Sequence, residues 1–427
     1  MHMEGQKNLA LIAIQKKLLG KKLSYAEIFA VMDEIANQRL GDVLTTYFAA
    51  SGYSEGFSNQ EIYYLTKAMV ATGERLTFKG IVADKHSIGG VPGTRTTLIV
   101  VPIVAAAGFT IPKSSSRAIT TPGGTADVME VLAPVVFNKE GIYRIIHKTN
   151  GCIVWGGSVK IAPADDVIIK VEEPLLFESF DKILVSIMAK KIAFGSTHVV
   201  IDLPIGELVK VHSTKDAEVL KKKFEYLAKM FKMKMRVLVH RTNEPAGRGI
   251  GPVLEAREAL RVLEQEEYRP FDLEERALNL AGALLDLCLE SSSKTLQGKI
   301  KTEFGSGHEW ARYILTSGHA HKKFLEIVKA QGGNGHISSI DLKPGRYRFE
   351  MIAKLSGVVE KIHSKHATIV TRILGAPLEK KAGIYLDKKI GQKVHKGEVL
   401  YTLYSPSEKQ LNEARDSLKN FPIFLYN

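Results

Sequence analysis

The chain has 427 residues, 45% hydrophobic and 25% charged, the balance of an ordinary globular protein with room for two or three domains and a large core. Its formal net charge is +13, but Lys and Arg are spread along the chain and aromatics are not interleaved with basic clusters. That pattern argues against a nucleic-acid surface and favours small anionic substrates. The longest apolar stretch, Leu98 to Ala107, is interrupted by Pro102 and falls short of the ~20 residues needed to cross a bilayer. No signal peptide is read at the amino end, and Cys152 and Cys288 lack metal-ligand spacing; a cytoplasmic protein without a membrane partner, with both thiols buried, is expected.

In chain order, residues 1–78 read as helices. Ser24-Tyr25-Ala26-Glu27 and Ser58-Asn59-Gln60-Glu61 both fit the capping box, each followed by apolar residues at helical spacing. Ile81-Val82-Ala83-Asp84 is a short strand signal, and a glycine-rich loop leads from it into an apolar helix starting near Thr96. Further apolar runs, Val199 to Asp202 and Val237 to His240, alternate with helical patterns, which predicts an α/β domain with a mostly parallel sheet over 79–161 and 193–340. A helical insertion over 162–192 is expected to complete the amino-terminal helical domain. The run Lys221 to Arg236 reads as a solvated helix face. Residues 345–427 hold short β-like runs with turns at Gly357, Gly383, Gly391 and Gly397 and a closing helix from Glu408 to Leu418, a small α+β domain.

The segment from Asp84 to Thr97 combines glycines that let a backbone approach an anion, hydroxyl and lysine donors, and a following helix whose free amides and dipole favour negative charge. It is not a Walker A loop, since no Gly-Lys-Ser/Thr ending follows. Lys113 to Asp127 repeats the same chemistry. Two such loops can converge at the carboxyl edge of a parallel sheet to form a phosphate site.

Asp84-Lys85-His86-Ser87-x-Gly89-Gly90, Ser115-x-Arg117 and Gly124-Thr125-x-Asp127 together resemble the fingerprints of the thymidine and pyrimidine nucleoside phosphorylase family. Ser116-Arg117-Ala118-Ile119-Thr120, Ala162-Pro163-Ala164-Asp165-Asp166 and Gly251-Pro252-Val253-Leu254-Glu255-Ala256-Arg257-Glu258 resemble its archaeal-type AMP phosphorylase branch. The resemblance continues through Ala330-Gln331-Gly332-Gly333 to Gly391-Gln392-Lys393-Val394-His395-Lys396-Gly397, and so covers nearly the whole chain. Archaeal members carry a further amino-terminal domain that is not seen in this sequence.

The resemblance implies a nucleoside phosphorylase/phosphoribosyltransferase-type fold, α/β with a separate all-α domain and a small carboxyl-terminal α+β domain. It implies phosphorolysis of the N-glycosidic bond of nucleoside 5′-monophosphates, AMP-like and extending to CMP or UMP, giving free base and ribose 1,5-bisphosphate. Inorganic phosphate would be a co-substrate, with no cofactor and no metal, and the assembly a homodimer through the helical domain. Lys85, Ser87, Thr97, Ser115 and Thr125 are implied to hold phosphate. Gly90, the run Ser116, Arg117, Ala118, Ile119, Thr120 and Thr121, and also Ser186, Lys190 and Lys210, are implied to contact substrate. Ser186 and Lys190, four apart, share a helix face. His86, Lys190 and Glu178 are the catalytic candidates, with Glu178 as the acid that protonates the departing base and Asp181 as its competitor.

Val171 stands where thymidine-type enzymes carry a base-clamping arginine, which favours a nucleotide over thymidine. Arg95 and Thr94 replace the Asp-Lys pair usual in the nucleotide branch, and Pro122-Gly123 replaces small residues there. A pyrimidine nucleoside (thymidine or uridine) phosphorylase is therefore the alternative. An anthranilate-phosphoribosyltransferase-like enzyme is a further one, disfavoured because the loop reads Lys-His-Ser-x-Gly-Gly and because a carboxyl-terminal domain follows. The turn from Gly391 to Gly397 resembles a lipoyl- or biotinyl-carrier turn, but no modifiable lysine sits in a suitable hairpin.

Overall fold

The computed structural model describes residues 2–54, 56–118, 121–172, 179–207 and 209–427. Among these the chain opens with helices α1 (His2–Leu18), α2 (Tyr25–Ala36), α3 (Asp42–Ser54) and α4 (Asn59–Ala71). Alternating strands and helices follow: β1 (Ala83–Ser87), α5 (Thr97–Ala106), β2 (Ile111–Ser115), α6 (Thr125–Met129), α7 (Lys139–Thr149) and β3 (Gly151–Trp155). Next come α8 (Pro163–Glu172), α9 (Phe180–Ala193), β4 (His198–Ile205), α10 (Thr214–Met230), β5 (Lys234–Arg241) and β6 (Gly249–Ile250). Helices α11 (Pro252–Glu264), α12 (Phe271–Leu289), α13 (Lys294–Glu303), α14 (Gly307–Thr316) and α15 (His319–Ala330) lead to the last segment. That segment holds β7 (Tyr347–Ile352), β8 (Gly357–Ile362), α16 (Ser364–Ile373), β9 (Gly383–Leu386), β10 (Lys393–Val394), β11 (Val399–Ser405), α17 (Glu408–Ser417) and β12 (Phe424–Tyr426).

The chain divides into two compact units. The first comprises Met1–Asp84, Gly156–Val199 and Glu218–Met235, and the second Lys85–Trp155, Val200–Ala217 and Arg236–Asn427. In the first unit both expected capping boxes form: Ser24 and Ser58 each accept from the backbone N–H three residues on, and Glu27 and Glu61 bond back to the cap N–H. Glu61 also accepts from the Leu23 N–H and pairs with Lys17 at 3.1 Å, both side chains almost fully buried. One carboxylate thus closes a helix end and neutralises the lysine beside it, which is what a charge needs in order to stay in a core. The apolar stripes of α2 (Ile28, Val31, Met32, Ile35) and α4 (Ile62, Leu65, Met69) are buried.

The second unit is built around α5, buried from Leu98 to Ala105, as a helix apolar on every side requires. Strands β2 and β3 pair in parallel, Ile111 opposite Gly151 through Ser115 opposite Trp155. Strands β1, β4 and β5 form a sheet in the order β1-β4-β5. Its flanking hydrogen bonds climb together, Thr197 N–H to Val82 and Ile88 N–H to Asp202, then Lys234 N–H to Thr197 and Thr242 N–H to Ile205, so these strands also run in parallel. Parallel strands end at a common edge, and the glycine-rich loop after β1 leaves from that edge.

The last segment packs two sheets, β6-β9-β11-β7 and β10-β8-β12, with α16 and α17 over a core that includes Val359, Ile362, Val370, Leu374, Ile384 and Leu403. Strand β6 joins β9 from far upstream, Gly249 opposite Tyr385 and Ile250 opposite Ile384. Three details differ from the sequence expectation. The run Lys221 to Arg236 is helical only as far as Met230, and its last residues, from Lys234, begin β5. β1 begins at Ala83 and runs through Ser87, so the first part of the expected loop is strand, and β12 follows the helix expected to close the chain. β12 escapes sequence reading because its value lies in pairing with β8, Phe424 opposite Ile362, and not in its own three residues. No helix among the described residues is long and apolar enough to cross a membrane.

Candidate active site

Successive residues of a strand point to opposite faces, and β1 uses both. Asp84 turns into the first unit, where its carboxylate accepts from Lys191 at 2.6 Å and from the Ser196 hydroxyl at 3.0 Å, all of them buried. The first residue of the fingerprint is therefore a structural ion pair. Lys85, on the other face, is 2% exposed, and its ammonium lies 2.6 Å from the Thr96 hydroxyl and 3.4 Å from that of Thr97. Thr96 caps α5 and Thr97 is its first residue. A lysine ammonium and the free amides of a helix start carry the same sign of charge, and an anion stabilises both at once. His86 is half-buried on the Asp84 face.

The second loop leaves β2 at Ser115, whose hydroxyl donates to the Val154 carbonyl of β3 at 2.9 Å. The loop returns at Gly124, where a Cβ would stand 2.3 Å from the Arg117 carbonyl carbon and 2.4 Å from the Ser116 oxygen; only glycine permits that crossing. Asp127 holds the crossing together by accepting from the Ala118 N–H at 2.7 Å and the Gly124 N–H at 2.9 Å. Arg117 bonds Asp127 and Glu130 and lies over the Trp155 ring. Glu130 is pulled down to about 2 by the Arg117 hydrogen bonds, with Lys380 adding to the effect. Thr121 donates to the Gly123 carbonyl at 3.0 Å, and the exposed Ser116 gives its carbonyl to the Ala126 N–H. Ile119 and Thr120 lie outside the described residues.

Thr125, the first residue of α6, accepts from Arg95 at 3.2 Å. The same guanidinium donates to the Gly123 carbonyl at 2.7 Å and pairs with the fully buried Glu255 of α11 at 2.6 Å. Arg95 thus ties the second loop to α11. Sequence reading noted Arg95 only as a departure from a family pattern, because its partner lies 160 residues away.

Gly90 has a φ of +92°, and a Cβ there would press to 3.3 Å on both Val209 Cα and the Lys210 N–H. That close approach brings the half-buried Lys210 against the first loop. Ser87 donates to Asp202 Oδ2 at 2.6 Å. The other oxygen of Asp202 faces His240 Nδ1 at 3.3 Å and Arg276 at 3.6 Å. His240 is held below the usual histidine range by burial and by the Arg276 charge, with Asp202 pulling the other way. Asp202, His240 and Arg276 also line a cavity of about 570 Å³ with Thr242, Asn243 and Asp272.

The first unit carries a separate cluster. Ser186 and Lys190 of α9 meet as expected, 3.2 Å apart, and both bond Asp165 of α8, Ser186 at 2.8 Å and Lys190 at 2.7 Å. Burial works against the charged lysine, but Asp165 outweighs it and raises Lys190 above the ordinary range, while burial also raises Asp166. Lys190 retains 24% side-chain exposure, so a partly exposed lysine is held in place by a buried carboxylate. In the sequence Asp165 stands in a motif beside a second aspartate, and nothing local there signals this pairing. Asp181 pairs with Lys223 and accepts from the Phe57 N–H at 3.2 Å, which commits it to structural partners. Glu178 lies outside the described residues. Val171 is buried in α8.

Family models match three consecutive regions: a glycosyl transferase family helical bundle domain over residues 12–73, the α/β domain of the same family over 79–321, and a pyrimidine nucleoside phosphorylase carboxyl-terminal domain over 358–422. An AMP phosphorylase of Methanocaldococcus jannaschii is 44% identical over 97% of this chain and 79% of its own length. An AMP phosphorylase of Thermofilum pendens is 43% identical over 96% of this chain and 77% of its own. A Legionella pneumophila protein provisionally named thymidine phosphorylase is 42% identical over the same shares. Among solved structures, anthranilate phosphoribosyltransferase from Thermus thermophilus superposes with a TM-score of 0.59 at 20% identity, over 75% of this chain and 99% of that one, which establishes a shared fold. The chain belongs to the thymidine and pyrimidine nucleoside phosphorylase family, with AMP phosphorylases among its relatives.

Proposed function

We propose that this protein cleaves the N-glycosidic bond of nucleoside 5′-monophosphates, AMP foremost, with inorganic phosphate, releasing free base and ribose 1,5-bisphosphate. The observation that carries the reading is the buried Lys85 ammonium against the Thr96 and Thr97 hydroxyls at the start of α5, in a chain 44% identical to a protein named AMP phosphorylase. Lys85, Thr97, Ser115, Thr125 and Ser87 hold the attacking phosphate. A phosphate oxygen bonds C1′ as the bond to the base nitrogen breaks, and the base takes a proton from Glu178. Ser186 and Lys190 steady the departing base, and Asp165 keeps the lysine charged and aimed. Gly90 and the run 116–121 contact the substrate, His86 acts near the base or sugar, and Lys210 supplies a cation for the 5′-phosphate. Phosphate is a co-substrate, and no metal or organic cofactor enters.

The second reading, a thymidine or uridine phosphorylase, is favoured by the name of the Legionella pneumophila relative. It is disfavoured by the buried Val171, which offers no fork for a pyrimidine. We further place the protein in the cytoplasm as a homodimer through the helical domain. The exposed apolar residues Ile12 and Leu19 near α1, and Val43 and Tyr47 on α3, support that interface. Incubation with phosphate and a panel of AMP, CMP, UMP, adenosine, uridine and thymidine, reading free base, tests the assignment. Base release from monophosphates but not nucleosides is expected; the reverse selects the second reading.

A further inference from the structure

We propose that Ser87 meets the bound phosphate as a hydrogen-bond acceptor, so that Asp202, backed by His240 and Arg276, makes the site select an oxyanion that carries a proton over one that carries none. The inference rests on the reading above, in which phosphate binds beside β1.

A serine hydroxyl has one proton and two lone pairs. In Ser87 that proton points to Asp202 at 2.6 Å, the length of a hydrogen bond to an ionised oxygen. The Asp202 side chain is 2% exposed, so water does not compete for it. Its other oxygen makes no well-aligned hydrogen bond among the described residues, yet it is faced by His240 Nδ1 and by the Arg276 guanidinium. Arg276 also reaches His240 Nε2. A guanidinium has only donors, so Nε2 must present its lone pair and Nδ1 must carry the proton; the backbone of Leu238 bonds the ring, and Asp202 lies 3.3 Å from Nδ1 as a nearby charge. Burial and the neighbouring Arg276 charge keep this histidine neutral, in agreement with that tautomer.

With Arg276 and the His240 ring beside one oxygen of Asp202 and Ser87 donating to the other, the Ser87 proton stays bonded to the carboxylate and the hydroxyl turns its lone pairs outward. Phosphate near neutral pH carries at least one P–OH, which can donate to Ser87. Sulfate carries none, and its oxygens would meet the Ser87 lone pairs, an unpaired and repulsive contact. The same contact fixes how phosphate lies: its protonated oxygen is pinned at Ser87 and its ionised oxygens are left for C1′. No proton changes hands in this step, and the P–OH proton remains with the phosphoryl group.

Calorimetric titration of the full chain with phosphate and with sulfate, at mildly alkaline pH where both are largely dianions, tests the proposal without nucleotide. Phosphate should bind on the order of tenfold or more tightly than sulfate. In Asp202→Asn the nearby Arg276 charge favours the amide oxygen on its side, so the amide N–H group faces Ser87 and frees its proton for the anion. The preference should then shrink by roughly tenfold, through a gain for sulfate. Ser87→Ala, a small change at a half-buried position, guards against misfolding of the first variant and should shrink the preference through a loss for phosphate. Equal binding of the two anions by the parent chain, or an unchanged ratio in a folded variant, overturns the inference. A variant-sensitive preference without base release from the nucleotide panel would remove the proposed reaction and leave this inference standing, whereas binding of neither anion removes both.

Discussion

Around β1 and β2 the hydroxyls assigned to phosphate are bonded to protein partners from far along the chain: Ser87 to Asp202, Thr125 to Arg95, Ser115 to the Val154 carbonyl. On α9, Ser186 and Lys190 share one carboxylate, Asp165, brought from the neighbouring helix. The first arrangement is a scaffold in which backbone crossings and buried charges fix several weak donors, and losing any one donor leaves the rest in place. The second concentrates a single charge, held by Asp165, and most of its effect sits in one ammonium. The difference teaches where substitutions should hurt: in the lysine cluster they should strike the chemical step, and in the loops they should strike stability and anion affinity.

The largest effect should come from Lys190→Ala. Removing a charge that steadies a developing anion lowers kcat by on the order of 100-fold or more, with little change in the KM for phosphate. Steady-state base release with varied phosphate reads both, and a variant with parental kcat would break the comparison at once. Arg95→Ala should act oppositely. It leaves the fully buried Glu255 without its cation, and such losses cost about 3–5 kcal/mol of folding stability. Urea unfolding measures it, and Arg95→Gln, which keeps donors for Gly123 and Thr125, should separate the stability loss from the loss of loop geometry.

Glu255 has a neighbour one turn on, and the pair sharpens the point. Glu258 is also buried, but it accepts the Arg248 N–H at 2.8 Å where Glu255 has a guanidinium, and burial pushes it up to about 7. A carboxyl raised above its unfolded value stabilises the fold fully below about pH 4.5, and that contribution is lost as pH rises through about 7. Between those limits the parent should lose on the order of 1.4 kcal/mol per pH unit relative to Glu258→Gln. Denaturation of both proteins across the window checks this, and parallel curves would show that Glu258 is ionised in the fold.

Much of this was legible in the sequence wherever the signal is local. The capping boxes at Ser24 and Ser58, the four-residue spacing of Ser186 and Lys190, and the glycine-rich approach at Gly90 and Gly124 depend on neighbours within a few residues. What was not legible is the set of partners that make those groups useful. Arg95 finds Glu255 160 residues away, Ser87 finds Asp202 115 away, and Asp84 finds Lys191 107 away. Pairings at that distance are set by which strand ends the parallel sheet brings together, and a single sequence carries no periodicity for them. For the same reason the sequence shows Asp84 and Asp127 only as letters of a fingerprint, while in the fold their carboxylates bind Lys191 in one case and two backbone amides and Arg117 in the other.

The smallest effect is also the one that best divides the loops internally. Ser115 and Ser87 are both serines at strand ends with a protein acceptor, but the acceptors differ in charge. The Val154 carbonyl is neutral, so the Ser115 proton is held by a bond worth about 1 kcal/mol net and can turn to a bound dianion, which is the stronger acceptor. The Ser87 proton, on a carboxylate at 2.6 Å, gains nothing by turning. Ser115→Ala should therefore weaken phosphate and sulfate alike, by roughly five- to tenfold each, leaving their ratio where it stood. Titration of this variant with the two anions decides it. A changed ratio would mean that both serines read the phosphate proton, and then the charge on Asp202 could not be what sets Ser87 apart.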